Sequence, residues 1–237
     1  KAARTLLTGV QSRYSHLWQD AQSFHLENEV AQFLGAHKAM FVSTGTSALV
    51  VALQTLGIGL GDEVIVPTYT WVATAAAVTS VGAIPIMADI DETLGMSPES
   101  VRAVITNRTK AILPVHMRGV PCEIEALHEV ANEQGLFLIE DCAQSFGARV
   151  HGKRAGTFGV MGITSVNPSK TFQAGGQGGL VWLNTNNELL QARMLWAVEN
   201  GIAVFGGLQN LPSFKRSFKD RSVVPPADAP YAGHCFR

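Results

Sequence analysis

Two kinds of hydrophobic pattern alternate along the chain. Short apolar runs rich in β-branched residues predict strands, and the longer segments between them carry apolar residues about every 3.6 positions, which predicts helices. The predicted strands are 39–42, 63–66, 84–88, 111–115, 136–140, 162–167 and 179–183. Because strands that alternate with helices are typical of βαβ units, we expect an α/β fold with a mainly parallel sheet.

The predicted helices fall into two classes. Residues 24–34 and 123–132 carry apolar side chains mainly on one face, which is typical of a helix at the protein surface. Residues 46–56 and 70–80 contain no charged residue. We therefore expect these two helices to be buried in the core, and the sheet to be covered by helices on both faces.

The composition is that of a globular protein. Of 237 residues, 46% are apolar and 16% are charged, and the charged fraction lies below the usual value of roughly 25%. A disordered chain would show the opposite bias. The formal net charge is −1 and no block of Lys and Arg occurs, so the sequence indicates no nucleic-acid partner.

Membrane, secretory and metal-binding proteins are also disfavoured. The uncharged stretches 39–60 and 67–88 are long enough to span a bilayer, but their many hydroxyl groups, with Gly and Pro, favour buried globular structure. Residues 1–8 lack the pattern of a signal peptide. The three cysteines are Cys122, Cys142 and Cys235. This odd, widely spaced set indicates neither a disulfide framework nor a metal site, so we expect a cytoplasmic protein.

Residues with useful chemistry follow several predicted strands, at the edge where an α/β sheet binds its ligands. Ser43-Thr44-Gly45-Thr46 precede a helix, and a helix N-terminus of this kind suits a phosphate, although such hydroxyls also serve as helix caps. Asp141 follows 136–140. A carboxylate at this place implies a positive ligand group, a helix cap or a salt bridge.

An amine and an aromatic ring occur at the same edge. Lys170 lies between a strand and the glycine-rich residues 175–179, where a desolvated amine can condense with an aldehyde, although most lysines are solvated surface charges. Trp71 follows 63–66 and either packs in the core or stacks on a flat ligand. Pyridoxal phosphate is the cofactor predicted by this combination of hydrogen-bond donors for a phosphate, a carboxylate, an amine and an aromatic ring. His116 either faces the pocket or is a satisfied buried histidine, and we favour the second.

Five motifs between about residues 6 and 237 then indicate a family: FVSTGTSAL, GDEVIVPTYTWVATAAAV, TKAILPVHMRGVPCEIEAL, LFLIEDCAQSFGA and SVNPSKTFQAGGQGGLVW. In sequence and spacing they resemble the DegT/DnrJ/EryC1/StrS family of fold-type I aminotransferases, which aminate keto sugars and cyclitols. The resemblance implies the large domain of this pyridoxal phosphate-dependent fold.

The resemblance also implies a role for each site residue. Lys170 would form the imine with the cofactor and later move a proton, and Asp141 would pair with the protonated ring nitrogen. Gln144 would hydrogen-bond the ring hydroxyl, and Trp71 would stack on the ring. The phosphate ligands would be Gly45, Thr46 and Ser165.

The chain departs from the family pattern in two places. Residues 233–237 resemble a segment in which an asparagine reaches the phosphate of the neighbouring subunit's cofactor, and Cys235 stands at that position. Sulfur is a weak hydrogen-bond partner, which puts this contact in doubt, whereas Arg237 is kept. Gln177 stands where the family usually has an acidic residue.

We therefore predict a pyridoxal phosphate-dependent aminotransferase that moves an amino group from an amino acid, usually glutamate in this family, to a nucleotide-linked keto sugar or a cyclitol. The alternatives are a dehydratase or lyase on the same scaffold and a non-catalytic binding or regulatory protein. Lys170 argues against the dehydratase, because family members with that activity carry histidine there.

The resemblance extends to domains and assembly. Residues 1–200 are expected to form the cofactor-binding large domain, and 201–237 a loop or the start of a C-terminal small domain that is mostly absent. We expect a homodimer, because the family builds each site from two chains.

Overall fold

Helices and strands alternate through residues 22–198, the part of the chain that this computed structural model describes. The elements are α1 (Gln22–Leu34), β1 (Lys38–Val42), α2 (Gly45–Thr55), β2 (Glu63–Pro67), α3 (Ala73–Ser80), β3 (Ile84–Ala88), α4 (Pro98–Val104), β4 (Thr109–Ile112), α5 (Ile124–Gln134), β5 (Phe137–Asp141), β6 (Arg149–Val150), β7 (Lys153–Arg154), β8 (Met161–Ser165), β9 (Gly179–Leu183) and α6 (Glu188–Val198). A short 3₁₀ turn, Met117–Gly119, follows β4.

Seven strands form the main sheet in the order β1-β9-β8-β5-β4-β2-β3. β9 is antiparallel to both of its neighbours, and the pairs from β8 through β3 are parallel. The prediction of a mainly parallel α/β sheet is therefore confirmed. The carboxyl ends of the parallel strands meet at one edge, where the sequence places the candidate site residues.

Helices cover both faces of the sheet, as predicted. Alternate residues of β2 enter different cores: Val64 and Val66 pack with α2 and α3, whereas Ile65 packs with α4 and α5. Such two-sided burial explains why β2 is a continuous apolar run. α2 buries most of its side chains against the sheet, so its uncharged sequence reflects a core position.

A third cluster joins α1 to the β1, β8 and β9 side of the sheet, with the fully buried indole of Trp182 at its centre. The indole nitrogen donates a hydrogen bond to the Gly156 carbonyl oxygen at 2.6 Å. Gly162 and Gly156 both face this ring so closely that a Cβ atom on either would overlap it. The large ring therefore depends on these glycines for its space.

Some predicted boundaries differ from the structure. The predicted helix 70–80 begins at Ala73, because the segment before it belongs to a loop in which Trp71 and Val72 are each 70% exposed. The strand predicted at 136–140 extends to Asp141, so this carboxylate is the last residue of β5. α4, α6 and the β6–β7 hairpin were not among the predicted elements; their short or weakly periodic sequences carry little local signal.

Within residues 22–198, no helix combines the length and the apolar character that a bilayer-spanning segment requires. The segment 201–237, with Cys235 and Arg237, lies outside the described residues.

The packing around Trp182 predicts the effect of a single methyl group. An added Cβ at buried Gly162 would lie 2.5 Å from the indole ring, and overpacking of this kind costs about 1–3 kcal/mol. We expect Gly162→Ala to lower the free energy of unfolding by this amount in urea denaturation. Gly176→Ala is the control, because a Cβ there meets nothing within 4 Å. Equal urea midpoints for Gly162→Ala and Gly176→Ala would contradict the close packing of Gly162 against the Trp182 ring.

Candidate active site

A cavity of about 320 Å³ lies at the carboxyl edge of the parallel strands. Its size is within the range of small-molecule sites. The N-terminus of α2, the loop before α3, the end of β5 and the turn after β8 form its walls. Every residue that the sequence predicted for the cofactor site lines it: Gly45, Thr46, Trp71, Asp141, Gln144, Ser165 and Lys170.

The N-terminus of α2 forms one wall of the cavity. The hydroxyl of Thr44 caps the helix by accepting a hydrogen bond from the Ser47 N–H at 2.9 Å, and the Ala48 N–H donates to the Thr44 carbonyl oxygen at 3.0 Å. The N–H groups of Gly45 and Thr46 precede this first helical hydrogen bond. The structure shows the helix-cap role of Thr44, and it leaves the next two amides available to an anion, so the phosphate site stays a prediction.

Gly45 lets the end of β8 approach this helix. A Cβ atom on Gly45 would lie 2.7 Å from the Cβ of Ser165, closer than real side chains come. Without that atom, the Ser165 hydroxyl lies beside the first turn of α2. Helix amides and a hydroxyl thus form a cradle that fits a phosphate group, and a larger residue at position 45 would fill it.

Asp141 supplies a buried carboxylate on the opposite wall. It is 5% exposed, and its Oδ1 accepts a hydrogen bond from the Ala143 N–H at 2.9 Å. Burial raises the pKa of Asp141, against the opposing effects, in decreasing order, of the Ala143 amide, His116, Lys170 and the Thr74 hydroxyl. Because a buried carboxylate ionises readily only beside a positive group, the site fits a protonated ring nitrogen.

Behind Asp141 lies a second buried carboxylate, that of Glu140. Its oxygens accept hydrogen bonds at 2.7 Å from the N–H groups of Gly156, Phe158 and Gly159, and the His116 Nε2 lies 3.1 Å away. Nδ1 of the fully buried His116 accepts a hydrogen bond from the Cys122 N–H. The favoured interpretation of His116 as a satisfied buried histidine is confirmed.

Lys170 closes a tight turn after β8. Its N–H donates to the Asn167 carbonyl oxygen at 2.9 Å, and the Asn167 side chain accepts from the Ser169 N–H at 3.1 Å. Pro168 restricts the backbone between them. The turn holds half-buried Lys170 at the cavity.

Gln177, whose departure from the family pattern had no assigned consequence, contacts the same turn. Its Oε1 accepts a hydrogen bond from the Asn167 side-chain amide at 3.0 Å. Gln177 therefore joins the glycine-rich segment to the turn that carries Lys170.

The side chain of Gln144 has a defined orientation. Its Oε1 accepts a hydrogen bond from the Arg118 N–H at 3.1 Å, and its Nε2 lies 3.6 Å from the Met117 sulfur. Because the oxygen is used by a backbone donor, the amide nitrogen is the group that remains for a ligand. It is suited to donate to the oxygen of a ring hydroxyl.

Sequence reasoning missed several polar residues of the cavity. Thr44 and Gln177, which the sequence analysis named, also line the cavity. The missed residues are Thr70, Thr74, Asn167 and Ser169. Each lies within a few residues of a predicted site residue, and Thr70 forms a side-chain hydrogen bond with Thr74 across the start of α3. Their position just after strand ends is the signal that identifies them.

Comparison with known proteins settles the family. The model of the DegT/DnrJ/EryC1/StrS aminotransferase family matches residues 11–210. The chain belongs to this family. Pyridoxal phosphate is the family's cofactor, and the fold is that of the fold-type I aminotransferases, as the sequence predicted.

Two curated relatives illustrate the similarity. Over 157 residues the chain is 47% identical to a UDP-N-acetyl-3-dehydro-alpha-D-glucosamine 3-aminotransferase from Acidithiobacillus ferrooxidans, covering 66% of this chain and 42% of the relative. It is 45% identical over 153 residues to an L-glutamine:2-deoxy-scyllo-inosose aminotransferase from Streptomyces kanamyceticus, covering 64% and 35%. The chain thus spans about half the length of the curated relatives it matches.

A solved structure shows the same fold with cofactor. NtdA of Bacillus subtilis, crystallised with its bound cofactor PMP (pyridoxamine phosphate), is 31% identical and superposes with a TM-score of 0.71 over 82% of this chain and 42% of its own.

The raised pKa of Asp141 predicts how the cofactor-free protein responds to pH. A carboxyl group with a higher pKa in the folded state takes up protons on folding, so its contribution to stability falls as pH rises from the unfolded value of about 4 through the folded value. We expect Asp141→Asn to gain stability relative to wild type over this interval, and the gain to disappear below about pH 4. Urea midpoints of both cofactor-free proteins between pH 3.5 and 8 measure this. A difference that does not change with pH would contradict the assignment.

Proposed function

We propose that the chain forms the cofactor-binding part of an aminotransferase that moves an amino group from an amino acid to a keto sugar or a cyclitol. The observation that supports this is the single cavity that joins Lys170 and Asp141 to the phosphate cradle at Gly45 and Ser165. Amine, carboxylate and cradle match three separate groups of pyridoxal phosphate, and an unrelated small-molecule site has no need for all three.

Each part of the cofactor has a proposed partner. The amides of Gly45 and Thr46 and the Ser165 hydroxyl would hold the phosphate. Asp141 would hold a proton on the ring nitrogen, and Gln144 Nε2 would donate to the ring hydroxyl. Trp71, which lines the cavity, would lie against the ring face. When bound, the cofactor supplies a carbonyl that stores the amino group and a ring that accepts electrons.

The chain's own residues would then control protons. Lys170 Nζ would remove the proton from the Cα of the amino donor in the first half-reaction and would deliver a proton to the former carbonyl carbon of the acceptor in the second, since the turn at Asn167 keeps it at the cavity. Asp141 would stay ionised beside the ring nitrogen, because a positive neighbour offsets the cost of its burial.

The proposed substrate class rests on the relatives. One is named for a UDP-linked keto sugar, the other for L-glutamine and an inosose. We propose that the acceptor is a nucleotide-linked keto sugar or a cyclitol ketone, and that glutamate or glutamine is the donor. Such a reaction belongs to amino-sugar or aminocyclitol biosynthesis. The presence of Lys170 favours transamination over the dehydratase alternative.

We also propose a homodimer in the cytoplasm, with 1–200 as the large domain and 201–237 as the beginning of the small one. Trp71 and Val72, in the loop before α3, are each 70% exposed, and adjacent exposed apolar side chains are typical of surfaces that a partner covers. The thiols of Cys122 and Cys142 are buried and free, which fits a reducing compartment.

Replacement of Lys170 tests the function. With pyridoxal phosphate added, we expect wild type to be yellow, to lose the colour with glutamate and to regain it with 2-oxoglutarate. After borohydride reduction, Lys170→Ala should carry no covalently attached cofactor. The rate of its colour change should be about 10²–10⁴-fold lower than that of wild type, as when a general acid–base group is removed.

Lys153→Ala, on the exposed β6–β7 hairpin, is the matched control and should behave as wild type. Cofactor trapped on Lys170→Ala would remove this lysine from the mechanism. Wild-type colour that persists with every amino donor would favour the non-catalytic binding protein.

A further inference from the structure

Arg118 lies beside the candidate active site but is not a residue that the proposed chemistry uses. It occupies the 3₁₀ turn Met117–Gly119, beyond the carboxyl end of β4. Its backbone N–H orients Gln144, and its Nη2 lies 3.5 Å from the Tyr69 hydroxyl. Tyr69 belongs to the loop that carries Trp71. Gln144 and Trp71 line the cavity, whereas Arg118 and Tyr69 are not among its lining residues. The guanidinium therefore lies beside the cavity, next to two segments that form its walls.

The turn itself does not require an arginine. Arg118 has φ 51° and ψ 32°, the left-handed conformation that glycine and asparagine adopt most readily. Its main-chain N–H would reach Gln144 whatever the side chain at this position. The backbone thus explains neither the length nor the charge of the residue.

The guanidinium also has unused hydrogen-bonding capacity. Arg118 is exposed, and within residues 22–198 no carboxylate lies within ion-pair distance of it. A guanidinium has five N–H donors in a planar fork that matches a carboxylate or a phosphate. In the described residues only the contact with Tyr69 uses one of them, so a bidentate anion can still be bound.

The charges of the cavity indicate where such an anion comes from. Asp141 and Lys170 are the charged residues among the described residues that line it. In the proposed function Lys170 and the α2 cradle serve the cofactor, and Asp141 is negative. A second anion, carried by a substrate, needs another cation, and Arg118 offers one beside the cavity, in contact with Gln144 and Tyr69.

We propose that Arg118 is the substrate-anion residue of this site, and that it binds a carboxylate or phosphate group of a substrate that extends from the cavity. This inference rests on the proposed function and narrows its substrate class to molecules with an anionic group. The anion is either a carboxylate of the amino donor or the diphosphate of a nucleotide-linked sugar.

Two unreactive probes separate these sources. UDP carries the diphosphate without a keto sugar, and glutarate carries the two carboxylates of glutamate without its amino group. Their dissociation constants are measured by titration calorimetry on the pyridoxal phosphate-loaded protein, for wild type, Arg118→Gln and Arg118→Lys. Lys110→Gln, which removes an exposed cation from β4, is the matched control. Arg118→Asn is a second variant without the guanidinium. Because asparagine adopts the left-handed backbone readily, a loss of affinity in this variant cannot be ascribed to misfolding of the turn.

We expect Arg118→Gln and Arg118→Asn to weaken one probe by about tenfold or more, as when a charged hydrogen bond is lost. Arg118→Lys should recover part of the affinity, and Lys110→Gln should bind as wild type. A loss confined to UDP assigns the diphosphate, and a loss confined to glutarate assigns the donor carboxylate.

Unchanged affinity for both probes in Arg118→Gln, an equal loss in Lys110→Gln, or a wild type that binds neither probe would overturn the inference. The colour change with glutamate tests the proposed function separately, because the probes bind without reacting.

Discussion

The buried carboxylate of Glu140 is the interaction on which the site edge of the sheet depends. A charge without solvent is tolerated only when its oxygens are satisfied, and here three backbone N–H groups and His116 satisfy them. These contacts tie the 156–159 turn and the segment after β4 to the end of β5. Since successive strand residues face opposite sides, the same anchoring fixes Asp141 in the cavity.

Asp141 shows the cost of this arrangement. Its burial raises its pKa, so the folded protein without cofactor holds a group that is harder to ionise than in the unfolded chain. A positively charged ligand removes that cost. If Asp141 pairs with the ring nitrogen as proposed, cofactor affinity and apoprotein stability oppose each other at this position.

The groups proposed to bind the cofactor and those proposed to contact the substrate belong to different kinds of structure. The cofactor-facing groups come from strand ends, a helix N-terminus and a tight turn, each fixed by backbone hydrogen bonds or close packing, as at Gly45 and Ser165. Exposed side chains occur at and beside the cavity: Trp71 lines it, and Arg118 contacts the lining residue Gln144. This division fits a family that keeps one cofactor chemistry and varies its substrates.

The sequence by itself determined the parallel α/β fold, the family and seven residues that line the cavity, but not the further polar residues Thr70, Thr74, Asn167 and Ser169. Hydrophobic periodicity reports burial, and the motifs place Asp141 and Lys170 after strands whose carboxyl ends must meet. It did not determine the start of α3 at Ala73 or the elements α4 and α6, because apolar loop residues such as Trp71 and Val72 resemble a buried helix locally. Only the tertiary structure decided the partners of Glu140, the link from Gln177 to Asn167 and the position of Arg118. These contacts join residues distant in sequence, and no local pattern encodes which side chains long-range packing brings together.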